Sequence, residues 1–327
     1  MIYIIFLERD KMISKEKEIL ELYSQYLKNK SYRLPITIGV FGNEMIRNTE
    51  IAYNTALMMG ILFKNLNLGD VSVVDTLKDE SRSNKNFHSL SSFLFEHIPD
   101  VNAKNSMRRV FDDYKKEENI TQEQINSILW QDDLTPLSFI LNKEYLSPIA
   151  DDIKMTFITE LLNSLHMYHS EIIFVILPSK TSLFRYDKYN EDTFYRVKSI
   201  YEWLDNTFNI LLDVSTVKDE SYMNEEIHQI IKMGAKRDLW DSIKSKTIVC
   251  NYNKGTSQPY GSDEVDLIRI NNKTISDDKS KIFVLKESVL FPMLLDEDFD
   301  LKEYQKNLVL LTDKIMQKSI LNPKEVF

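Results

Sequence analysis

The residues from Gly42 to Thr49, Gly-Asn-Glu-Met-Ile-Arg-Asn-Thr, stand between an apolar run and a long apolar stretch. A turn that joins a first strand to a helix is where α/β proteins usually hold phosphate, because a helix N-terminus offers free N–H groups. A phosphate cradle works when small residues let consecutive N–H groups converge on the anion while a cation balances its charge. Gly42 suits that path. Glu44, Met45 and Arg47 carry side chains that disfavour it, and Glu44 adds a negative charge of its own. Arg47 can supply one cation. The chemistry offered here is anion binding, with the anion-holding atoms thinned out.

The flanking segments read as a right-handed βαβ unit. Leu34 to Val40 is an apolar, β-branched strand, and Phe41-Gly42-Asn43 breaks it. Asn48 or Thr49 caps a helix whose first turn holds Glu50, and the helix is apolar from Ile51 to Phe63. Leu68-Gly69-Asp70 closes the connection. Val71 to Asp75 is the second strand.

This stretch resembles the opening of the ParA/MinD ATPases, a family that includes the pilus-positioning TadZ/CpaE proteins and the cellulose-secretion protein BcsQ. Their phosphate loop reads K-G-G-x-G-K-[ST] and their helix carries A-x-N-x-A, which Ala52-Tyr53-Asn54-Thr55-Ala56 matches. Counting back, the loop falls on Asn43 to Thr49. The signature lysine position is Asn43, the P-loop lysine position is Asn48, and the glycine positions are Glu44, Met45 and Arg47. Thr49 keeps the hydroxyl that the family uses on magnesium. The family's second strand ends in D-x-D; here it ends Asp75-Thr76-Leu77, so the second aspartate is a leucine. The resemblance is one of pattern and order, and it runs from about residue 34 to about residue 320. It implies a P-loop NTPase-like, doubly wound α/β fold whose nucleotide-binding positions would be Gly42, Asn43, Arg47, Asn48, Thr49, Asp75 and Asn251.

Two later segments extend it. Lys154 to Leu165 is an amphipathic helix, and Glu171 to Leu177 is a continuous apolar run, as expected of a strand buried on both faces. The family has Y-D-x-V-I-x-D-x-P here. Pro178 matches the proline, while Ile176 occupies the position of the aspartate that orients the metal-bound water. Lys246 to Tyr252 resembles the strand whose asparagine reads adenine, which places Asn251 at that role. An asparagine ending a strand is also ordinary turn chemistry.

With 327 residues the chain has ample material for a core, and 43% hydrophobic with 28% charged residues is the mix of a globular protein. A net charge of −9 disfavours a general binder of nucleic acid or anionic membrane. Glycine numbers 7, far below the usual ~7% of residues, which leaves few places for backbone to approach a ligand. The single cysteine, Cys250, excludes an intrachain disulfide and suits a reducing compartment. Met1 to Phe6 is too short an apolar run for a signal peptide, and no segment reaches the roughly 18 apolar residues of a membrane span.

Met12 to Lys30 reads as an amphipathic helix, packed on the domain edge or serving a partner. Lys78 to Asn86 is a polar loop, followed by a short helix from Phe87 to Glu96. Residues from about 100 to 150 read as polar and helical, with Thr121 a good N-cap. There Met107, Val110, Phe111 and Tyr114 form an apolar stripe, for core cover or for docking. Further helices are expected at Tyr195 to Leu204, Asn224 to Met233 and Lys302 to Leu321, and strands at Phe208 to Val214 and Lys281 to Leu285. Asn253 to Lys281 reads as loop. MinD uses its closing helix on membranes; here the mixed charges suit core cover. His166 and His169 have a metal-like spacing without completing ligands, and Asp296 to Asp300 fits no calcium loop. No nucleophile elbow, zinc motif or repeat is present.

The expected organisation is a helical extension over 1–30 and one ParA/MinD-like domain over 31–327 with a helical insert at about 80–150. The doubly wound sheet is mostly parallel, with helices on both faces. The expected function is a non-catalytic scaffold, positioning or regulatory subunit of a bacterial secretion, pilus, conjugation or segregation system. Such a protein would be homodimeric, bind protein partners and carry no cofactor. It would lie in the cytoplasm, or beside the membrane through a partner. Open beside it stand an active or nucleotide-gated ATPase switch using ATP and magnesium on a non-standard loop, and an unrelated enzyme on the same sheet.

Overall fold

A computed structural model describes residues 35–42, 45–66, 69–76, 107–131, 136–142, 152–178, 191–215, 237–251, 266–269, 283–286, 289–292 and 301–321. Apolar segments that were continuous in sequence become the middle of one sheet. Its strands are β1 (Ile36–Gly42), β2 (Val71–Asp75), β3 (Leu129–Gln131), β4 (Leu137–Ile140), β5 (Ile172–Ile176), β6 (Ile210–Ser215), β7 (Thr247–Asn251) and β8 (Asp266–Arg269). They lie in the order β3-β4-β2-β5-β1-β6-β7-β8. β3 runs antiparallel to β4, and the remaining neighbours are parallel. β9 (Phe283–Lys286) and β10 (Val289–Pro292) form a separate antiparallel pair.

The helices are α1 (Met45–Leu66), α2 (Met107–Glu117), α3 (Gln122–Ile128), α4 (Asp152–Tyr168), α5 (Glu191–Thr207), α6 (Arg237–Lys246) and α7 (Leu301–Leu321). α1 and α7 cover one face of the sheet, packing on Ile38, Val40, Phe174, Ile176 and Leu212. α2 to α6 cover the other, packing on Phe41, Ile173, Val175 and Leu211. A strand with helices on both sides needs apolar residues at every position, which is why Ile172–Ile176 (IIFVI) is buried throughout. Each fully buried side chain of this kind contributes about 1.5–3 kcal/mol relative to exposure. The fold is an α/β doubly wound, mostly parallel sheet of the P-loop NTPase-like kind.

Several segments differ from the sequence expectation. The stretch read as a helical insert supplies two strands of the main sheet, β3 and β4. Residues 283–285 of the segment read as a sheet strand fall in the separate hairpin, and the parallel strand beside β7 is β8, from a stretch read as loop. The apolar stripe of α2 is core: Phe111 and Tyr114 pack on Phe157 of α4, with ring centroids 5.1 and 5.4 Å apart. The Thr121 cap is present as a full capping box with Gln124. α7 buries Leu308, Leu311, Ile315 and Met316 against α1 and the sheet. Among the described residues no helix is long and apolar enough to cross a membrane. The helices read at 12–30, 87–96 and 224–233 and the acidic run at 296–300 lie outside the described residues.

Candidate functional site

The carboxyl ends of β2, β5, β1, β6 and β7 line up at one rim of the sheet, the rim where doubly wound folds place ligands. The β1–α1 junction sits at its middle. β1 ends at Gly42 and α1 begins at Met45, so only residues 43 and 44 separate them. The expected phosphate loop over 43–49 is therefore mostly helix. Asn48 and Thr49, read as caps, lie inside α1. By the i to i−4 rule the Thr49 N–H is spent on the Met45 carbonyl and does not face a ligand. Helical N–H groups point along the axis in parallel, whereas a phosphate cradle needs them to converge.

From Arg47 on, the side chains at the start of α1 are buried. Arg47, Asn48, Thr49 and Glu50 are all buried, at 5%, 0%, 1% and 0% exposure. Arg47 Nη1 donates to Glu50 Oε2 at 2.8 Å. Asn48 Nδ2 donates to the Gly42 carbonyl across a long 3.4 Å, tying the helix back to the end of its own strand. That closeness is why residue 42 is a glycine: a Cβ there would stand 2.2 Å from the Val214 carbonyl oxygen and 2.7 Å from Asn48 Oδ1. Asn48 Oδ1 and Thr49 Oγ1 are buried without a hydrogen-bond partner.

The other expected site residues flank this junction. Asp75 ends β2, fully buried and in register with Ile176, which is in register with Val40. Asp75 is thus two strands from β1, roughly 10 Å across the sheet. Beyond it, Thr76 Oγ1 donates to the Ile176 carbonyl at 2.7 Å, and Asn142 Nδ2 donates to the Thr76 carbonyl at 3.3 Å. The first bond ties the end of β2 to β5, and the second ties it to the end of β4. Ile176 is fully buried in the apolar cluster under α1. Asn251 ends β7 two strands to the other side, so Asp75 and Asn251 are separated by four strand spacings, about 19 Å across the sheet, and by a further three residues along it. The structure brings Gly42, Arg47, Asn48 and Thr49 into one junction, and it leaves Asp75 and Asn251 at its two sides. Asn43 and Leu77 lie outside the described residues.

Sequence reasoning passed over two buried carboxylates. Glu50 was taken as an ordinary first-turn acid, yet it is the partner of Arg47. Asp213 lies in β6 at 0% exposure, one position before Val214. Burial, together with the Asp213 charge, pushes the Tyr201 phenol and the Cys250 thiol far up from their usual values, so Cys250 is an inert small apolar group. An aspartate inside the run Ile-Leu-Leu-Asp-Val was the signal that could have found it.

The two histidines do not form a metal pair. His166 Nδ1 donates to the Ser170 carbonyl at 2.7 Å, which leaves Nε2 to accept from Thr37 Oγ1 at 2.8 Å. Burial holds its imidazole down at about 4, against the smaller raising effect of the Ser170 carbonyl. Among the described residues no group of three or more His, Cys, Asp or Glu is placed to hold a metal.

No protein-family model matches this chain, and a search of curated proteins finds no match. The fold class and the early start of α1, which makes most of the expected phosphate loop helical, are the two observations from which a function can be argued.

Proposed function

We propose that this chain is a non-catalytic, ParA/MinD-like scaffold or positioning subunit of a bacterial secretion, pilus, conjugation or segregation system, acting through protein partners as a homodimer. The observation that carries this reading is the β1–α1 junction. Only residues 43 and 44 lie between β1 and α1, and the buried Arg47, Asn48, Thr49 and Glu50 stand in the helix, which supports reading the expected 43–49 loop as unsuited to cradle a phosphate. Ile176 supports it, because an apolar residue buried at that strand end can neither join a metal shell nor take a proton. With those parts absent, the chemistry of phosphoryl transfer has neither a cradle nor a metal-bound water to use.

Purified protein incubated with ATP and magnesium should release phosphate at the rate of buffer alone. Its molar mass in solution should be about twice the 38.5 kDa of one chain. Steady phosphate release that Thr49→Ala abolishes would replace this reading with a working ATPase on a non-standard loop. A monomer at all concentrations would remove the homodimer from it.

A further inference from the structure

We draw no further inference here: the strongest candidate, the exposed apolar surface patch of Met167 and Tyr168 at the carboxyl end of α4, carries nothing because the structure does not show what covers it.

Discussion

The two rims of the same sheet handle buried polar groups in opposite ways. At the amino-end rim, Thr37, Ser72, His166, Ser170 and Asn209 are linked by hydrogen bonds. His166 bridges Thr37 to the Ser170 carbonyl, Ser170 meets the Ser72 hydroxyl, and Asn209 pairs with the Thr37 backbone through its side chain and its N–H. These groups are neutral and each has its partner, while Nε2 of the adjacent His169 is buried without one. At the carboxyl-end rim the buried groups include Arg47, Glu50, Asp75 and Asp213, and Asn48 Oδ1 and Thr49 Oγ1 go unmatched. A rim built only for stability satisfies its polar atoms. A rim that carries buried charge and unmatched atoms is where a sheet of this type places its functional site. The contrast favours the carboxyl end as the place for a functional site.

The largest effect should come from splitting the charged pair. Arg47→Met leaves Glu50 without that partner and should cost about 3–5 kcal/mol in urea unfolding, while Arg47→Met combined with Glu50→Leu should recover most of it. If the double variant is as unstable as the single one, the pair is part of the core's packing and the contrast between rims weakens.

The next effect belongs to the amino end and appears with pH. His166 titrates near 4 in the folded chain against about 6.5 when unfolded. The folded state therefore binds fewer protons between these values, and its stability is full above pH 6.5 and falls as pH drops towards 4. The loss should reach about 2 kcal/mol at pH 5 and about 3 at pH 4. Urea midpoints of native protein and His166→Gln, compared at pH 7 and pH 5, isolate this part from the carboxylates. Equal losses in both would remove His166 from the account.

A smaller effect checks the same clamp at neutral pH. Thr37→Val keeps the shape and removes the hydroxyl that His166 accepts from, and should cost roughly 1–2 kcal/mol without changing any ligand response. The smallest change should be a gain, away from both rims. Glu118 follows the last residue of α2 with φ of +50°, a left-handed conformation that a side chain disfavours. Glu118→Gly should stabilise by up to about 1 kcal/mol, read as a shift in the urea midpoint.

Much of this fold was legible from residues. Five buried strands announced themselves as apolar runs, because a parallel strand covered on both faces needs no alternation. β3, β4 and β8 did not. Leu-Trp-Gln and Leu-Ser-Phe-Ile are three and four residues long, too short for a pattern to rise above polar surroundings. Asp-Leu-Ile-Arg begins and ends on charge. The run at 281–285 looked like another core strand, yet its pairing partner is the adjacent hairpin strand rather than the sheet. The start of α1 was misplaced for a different reason. Asn48 and Thr49 are the residue types that cap helices, but the Arg47–Glu50 contact at i, i+3 favours helix through them. The same contact hid the character of the site. Spacing marked Arg47 as a free cation, and only side-chain placement could reveal its contact with the chain's own Glu50.

The most direct test is equilibrium binding of ATP with magnesium to the full native chain by titration calorimetry. No saturable binding should appear, even at ligand concentrations where a Kd of about 1 mM would register. Saturable binding that Thr49→Ala or Arg47→Met removes would contradict the account, because it would show the β1–α1 junction to be a working nucleotide site.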